Sequence, residues 1–223
     1  MSNKIKLKTK DGFNIVGEYY FLEDEEGKDA RGAVVLIHMM PETKESWQGL
    51  AEKLVLAGYK CLAIDMRGHG ESDGGPDGFK TFTDSEHQAG INDIESAVEF
   101  FIDKGIPKEK IILIGASIGA NLSLQYQAWN SEIKRSILLS PGLDYHGVGA
   151  EKMAELLEGD QFSLLIAGGE GGNDESSTET VKKLHGVIEE GRSKVIILKE
   201  ADHGTRIFEK EPGLMEEIIN WLD

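Results

Sequence analysis

The hydrophobic positions change period several times along the chain, and each change marks a new element. From Lys4 to Leu22 apolar and polar residues alternate on either side of Asp11-Gly12, and period two around such a step predicts an antiparallel hairpin. Ala33-Val34-Val35-Leu36-Ile37 is continuously apolar and rich in β-branched residues, as in a strand covered on both faces. Helical spacing then appears at Trp47, Leu50, Leu54 and Val55, stops at Gly58, and gives way to the strand Cys61-Leu62-Ala63-Ile64. A helix is predicted between His87 and Lys104, with Ile91, Ile94, Val98 and Phe101 on one stripe, before the strand Ile111-Ile112-Leu113-Ile114. Further strands are expected at 137–139, 164–166 and 195–198, and further helices near 119–129, 149–158, 176–190 and 213–222.

Strands alternating with helices imply right-handed crossovers. The expected class is α/β: about eight strands in a mostly parallel sheet, an antiparallel N-terminal hairpin, and helices on both faces. No repeat, low-complexity tract or linker divides the 223 residues, so residues 1–223 are expected to form one domain. The stretch from Glu71 to Glu86 is the longest without periodicity, which makes it a candidate border of a site.

Composition narrows the function. No apolar run approaches the ~20 residues a membrane helix needs, and Met1-Ser2-Asn3-Lys4-Ile5-Lys6 has no continuous apolar segment of the secretory kind. The one cysteine, Cys61, lies in an apolar strand and has no second cysteine to pair with, so a cytoplasmic location is the expectation. With 24 basic and 40 acidic residues the net charge is −16, which repels nucleic acid and anionic membrane and leaves a small molecule as the expected partner. Lys4, Lys6, Lys8 and Lys10 recur with period two and are expected on the wet face of an edge strand.

The candidate chemistry begins directly after the strand at 111–114, where Gly115-Ala116-Ser117-Ile118-Gly119 leads into a helical run. A G-x-S-x-G sequence between strand and helix is the setting of a nucleophile elbow. The sharp turn lifts the Ser117 hydroxyl clear of the sheet, and the helix N-terminus beneath it lets the Ile118 N–H face a developing oxyanion. A serine needs a base, and His203 lies in a loop beyond the last strand, within Ala201-Asp202-His203-Gly204. His185 falls within a helical pattern and His146 follows an earlier strand, so both read as surface residues. The carboxylate that would orient His203 should come between Ser117 and His203. Asp174, in the glycine-rich loop after the strand at 164–166, leads because that strand end should face the His203 loop; Asp144 and Glu170 are the alternatives, and Asp202 reads as structural.

These residues resemble the α/β-hydrolase family over nearly the whole chain. Besides the elbow, Asp65-Met66-Arg67-Gly68-His69-Gly70-Glu71-Ser72 resembles the family's D-x-R-G-H-G-x-S turn, a structural turn in which Asp and Arg can pair. His38-Met39-Met40-Pro41 resembles its H-G-x-P oxyanion loop. That resemblance makes Met40 a second oxyanion donor, although Met39 stands where the family usually has glycine, so either methionine could supply the amide. Only about two dozen residues separate the strands at 137–139 and 164–166, too few for the helical cap of many members. The resemblance thus implies a small lidless serine esterase acting on short acyl chains, about C2 to C6. Ser117, His203 and Asp174 would be catalytic, and no metal or organic cofactor is expected. A thioesterase or peptidase with the same triad, or a non-catalytic ligand-binding protein of the same fold, are the alternatives.

Overall fold

The computed structural model describes residues 1–23, 30–170 and 173–222; most of the acidic loop after Glu23 lies outside them. Strands β1 (Ser2–Lys8) and β2 (Asn14–Tyr20) form the hairpin. Lys8 pairs with Asn14, so the connection is a five-residue loop closed by Thr9 N–H to Phe13 C=O at 2.9 Å rather than a two-residue Asp-Gly turn. Lys4, Lys6 and Lys8 are exposed on this edge strand while Ile5 and Leu7 turn inward.

The parallel part contains β3 (Gly32–Ile37), β4 (Tyr59–Ile64), β5 (Ile111–Ala116), β6 (Arg135–Leu139), β9 (Phe162–Glu170) and β10 (Ser193–Lys199). Spatial order is β1-β2-β4-β3-β5-β6-β9-β10, with β2 antiparallel to β4 and all later pairs parallel. Two short strands, β7 (Asp144–Tyr145) and β8 (Val148–Gly149), form a separate ribbon after β6. Two-residue strands carry no period, which is why the sequence pattern does not announce them.

The helix expected from His87 to Lys104 is in fact two, α2 (Asp84–Gln88) and α3 (Ile91–Asp103), separated at Ala89-Gly90. Period two decides which core each strand residue enters. Val34 and Leu36 pack with α1 (Gln48–Leu56) and α8 (Leu214–Leu222), through Leu50, Leu54, Ile218 and Leu222. The short α7 (Ile207–Lys210) adds Ile207 and Phe208 to the same cluster. Ala33, Val35 and Ile37 face α3 and α4 (Ile118–Trp129), through Ile94, Val98, Phe101 and Leu122. Further along, α4 joins α5 (Glu151–Glu155) and α6 (Glu175–Val187) over Leu138 and Leu165. Every residue of β3 is buried, and each such large aliphatic side chain contributes about 1.5–3 kcal/mol by leaving water. No helix among the described residues is long and apolar enough to cross a membrane.

After β3 the chain moves outward to β4, then returns to lay β5 on the other side of β3. The carboxyl ends of β3 and β5 therefore flank the point where the winding direction reverses, the place where open α/β sheets bind ligands. The segments carrying His38, Ser117, Ser140, Asp174 and His203 all follow carboxyl ends of parallel strands.

Candidate active site

Ser117 occupies the bend between β5 and α4 with φ 54° and ψ −121°. A non-glycine residue held there is strained, and such strain persists only where surrounding structure enforces it. The enforcement is visible: Ser117 N–H donates to Leu139 C=O at 2.9 Å, tying the bend to β6. Gly119 explains the second glycine of the motif, because a Cβ there would sit 2.5 Å from Ile37 O and 2.6 Å from His38 O. Only glycine lets the end of β3 lie this close to the start of α4.

Asp174 is fully buried and lies at the start of α6. Its Oδ1 accepts from His203 Nδ1 at 2.6 Å, and its Oδ2 accepts from Ser140 Oγ at 2.7 Å and from Gly168 N–H at 2.5 Å. Burial by itself would raise this carboxyl, but the hydrogen bonds from His203, Gly168 and Ser140 hold it below the ordinary carboxylate range. A carboxylate only accepts, so His203 Nδ1 carries the proton and Nε2 keeps a free lone pair. Asp202, read as structural, accepts the His203 backbone N–H at 2.8 Å. Of the alternatives, Asp144 is exposed and accepts from Gly147 N–H, while the Glu170 side chain lies outside the described residues. His185 and His146 are both exposed.

The His203 loop is drawn against the serine bend. Gly204 N–H donates to Ser140 Oγ at 2.8 Å, one residue beyond the Leu139 carbonyl that holds Ser117. A Cβ on Gly204 would also lie 3.4 Å from the Cβ of Ala116. Among the described residues neither the Ser117 hydroxyl nor His203 Nε2 has a hydrogen-bond partner. Ser140 is the residue that sequence reasoning missed. Its only signal is its place directly after β6, at the sheet edge where the other members lie.

The strand end that packs on Gly119 continues into His38-Met39-Met40-Pro41. His38 is fully buried; its Nδ1 donates to Met39 C=O at 2.9 Å and its Nε2 accepts from Met66 N–H at 2.9 Å. Burial, reinforced by neighbouring His69, pushes this imidazole down to about 3, so it stays neutral and acts as a fixed brace between two turns. Met39 is buried and Met40 half-buried. Met40 and Ile118 line the same small cavity, with Met66, His69, Phe82, His87 and Leu122. Phe82, which lines this cavity, belongs to the stretch between Glu71 and Glu86.

In the glycine-rich turn after β4 the expected Asp65–Arg67 pair is not formed. Asp65 instead accepts from Lys44 Nζ at 2.8 Å and from the Lys44 and Glu71 backbone N–H groups. Arg67 bonds Asp93, from α3, and Asp11, from the hairpin loop. The two charges are each satisfied by partners distant in sequence, so the turn clamps three elements together rather than closing on itself.

Residues 28–165 match the family model described as serine aminopeptidase, S33. A Bacillus subtilis (strain 168) protein provisionally named 2-succinyl-6-hydroxy-2,4-cyclohexadiene-1-carboxylate synthase is 29% identical over 160 residues, which cover 68% of this chain and 54% of that one. The match thus spans about half the length of that relative. An esterase of Pyrococcus furiosus superposes with a TM-score of 0.75 at 18% identity, covering 100% of this chain and 90% of that chain. An esterase from Exiguobacterium antarcticum gives 0.74 at 14% identity, covering 99% of each chain. At these identities the likeness shows the fold, which is that of the α/β-hydrolases.

Proposed function

Because the chain belongs to the serine aminopeptidase S33 family of α/β-hydrolases, we propose that it cleaves carboxylic esters with Ser117 as nucleophile, His203 as general base and Asp174 as the group that orients it. The observation that carries this reading is the 2.6 Å bond from His203 Nδ1 to buried Asp174, which leaves Nε2 as a base beside the strained Ser117 bend. His203 Nε2 takes the hydroxyl proton as Ser117 Oγ attacks the ester carbonyl, and the Met40 and Ile118 N–H groups hold the oxyanion. Collapse of the tetrahedral intermediate releases the alcohol, which takes the proton from His203, and water then hydrolyses the acyl-enzyme by the same relay.

Between β6 and β9 the described chain forms only the β7–β8 ribbon and the short α5, with no helical cap. An uncapped cleft favours short acyl chains. A p-nitrophenyl ester series of increasing length should peak at C2 to C6, and Ser117→Ala should lower kcat by ~10⁴-fold or more. Labelling of Ser117 by a fluorophosphonate supports the reading; an unlabelled wild-type protein, or an active Ser117→Ala variant, ends it. The family description favours one second reading, an aminopeptidase using the same groups. Matched ester, thioester and amide substrates separate the two, since a peptidase would retain substantial turnover on the amide.

A further inference from the structure

The His38-Met39-Met40-Pro41 segment lends an amide to the proposed site, but that role leaves the Met39 side chain unused. Met39 is 2% exposed. It belongs to a buried cluster with Ala116, which precedes the Ser117 bend, and with Ala201, Ile207 and Phe208, which flank His203 on both sides. Gly204 shows where the thioether goes. A Cβ there would overlap Met39 Sδ and lie 3.5 Å from Met39 Cγ, so the sulfur rests against the backbone directly after His203.

Met39 is tied to the site at its other end as well. Its C=O accepts from His38 Nδ1 at 2.9 Å, and the same planar peptide unit ends in the Met40 N–H, the proposed oxyanion donor. Fixing the carbonyl therefore fixes the amide. One residue thus holds that amide through its backbone and touches the base-bearing loop through its side chain. The hydrogen bonds that anchor this loop, Ala201 N–H to Gly168 C=O and Gly204 N–H to Ser140 Oγ, both at 2.8 Å, come from the side of β9 and β6. From the β3 side, the Arg206–Glu42 pair is 48% and 31% exposed, so water screens it, and Trp47 meets Phe208 edge-on at 6.1 Å, five residues beyond the imidazole. Met39 is the contact on that side that reaches the residue next to His203.

We infer that Met39 is a positioning residue: its thioether sets the separation between the His203 loop and the Met40 amide, so that general base and oxyanion donor face Ser117 together. The inference rests on the esterase reading and adds to it a residue that touches no substrate. A close-packed interior transmits such a fixed length, and a misplacement of about 1 Å at reacting groups costs on the order of 10²-fold in rate.

The test compares Met39→Ala and Met39→Leu with the wild-type protein on p-nitrophenyl butyrate, with rates expressed per folded molecule so that lost stability does not pass for lost turnover. Met39→Ala removes the atoms that reach Gly204 and should lower kcat by about 10- to 100-fold while KM stays within about threefold, because alignment and not substrate binding is changed. Met39→Leu, similar in volume, should keep kcat within about threefold. The short His203–Asp174 bond supplies an independent readout in the far-downfield proton resonance of Nδ1–H, which should shift or broaden in Met39→Ala and return in Met39→Leu. Gly204→Ala probes the same contact by crowding it. Combined with Met39→Ala, which makes room for the added methyl group, it should be at least about fivefold more active than Gly204→Ala alone. Unchanged kcat in Met39→Ala, a loss that leaves the proton resonance unmoved, or a double variant whose losses simply multiply overturns the inference and leaves the esterase reading standing. A wild-type protein that hydrolyses no ester and takes no fluorophosphonate at Ser117 removes the esterase reading and the inference with it.

Discussion

Ser140 donates its hydroxyl hydrogen to Asp174 Oδ2 at 2.7 Å while its oxygen accepts the Gly204 N–H at 2.8 Å. One side chain thus joins the carboxylate to the loop that carries the imidazole. Ser140→Ala removes both bonds and leaves the buried Gly204 N–H unpaired, which should destabilise the fold by about 1–3 kcal/mol. Loss of alignment at His203 should lower kcat by about 10- to 100-fold. Ser140 has φ 50°, so Ser140→Gly serves as the control that removes the hydroxyl without adding backbone strain. Steady-state kinetics and urea unfolding on both variants decide the matter, and an unchanged kcat in Ser140→Gly would show that the bridge has no positioning role.

Asp174 and Asp144 can be told apart by the same chemistry. Asp174→Asn presents an amide to His203 Nδ1 and favours the wrong tautomer, a change that should cost roughly 10⁴-fold in kcat. Asp144 is exposed, and Asp144→Asn should leave kcat within about twofold, as expected of a surface change away from the reacting groups. A reversed order in the two rates would move the orienting role to the other carboxylate.

Much of this arrangement is legible in the amino-acid sequence. The strand-bend-helix context of Ser117 is local, so hydrophobic period and glycine spacing reveal it together. Asp174 follows from topology, because the sheet order brings the ends of β9 and β10 side by side. What escapes is long-range pairing. Asp65 and Arg67 look like partners two residues apart, but each is bonded to groups tens of residues away. The break at Ala89-Gly90 is hidden because the apolar stripe begins only at Ile91 and leaves no periodic signal on the polar residues of α2. Ser140 has no motif, since its role exists only once three strand ends have been brought together.

Close approach at Gly119 predicts a contrast between two glycines. A methyl group at Gly119 would press on backbone oxygens of Ile37 and His38 that cannot rotate away. Gly119→Ala should therefore lose about 1–3 kcal/mol of stability and, by parting the β3 end from the elbow, at least about tenfold in kcat. Gly186, exposed in α6, would place its methyl group in open space. Gly186→Ala should stabilise by roughly 0.5–1 kcal/mol through helix propensity and leave activity alone. Thermal unfolding of the two variants checks both signs at once.

His38 sets a limit on acid stability that begins at the site itself. Its folded value is about 3 against 6.5 for a free imidazole, so between those pH values the unfolded chain binds a proton that the folded chain refuses. Proton uptake by the unfolded state lowers stability as pH falls, by up to about 1.4 kcal/mol per pH unit for one group. From pH 6.5 to 4.5 this residue alone should cost about 2 kcal/mol, because the unfolded imidazole is only half protonated at the upper end. His38→Gln keeps an acceptor for Met66 N–H but cannot be protonated in this range, so its unfolding free energy should fall less steeply over the same interval. Urea titrations of both proteins at pH 6.5 and 4.5 measure the difference, and parallel slopes would mean that protonation of His38 is not what the fold resists. Because the same imidazole holds Met39 and Met66 in place, acid that forces a proton onto it also releases the turn beside Ile118, and activity should be lost in step with the fold rather than after it.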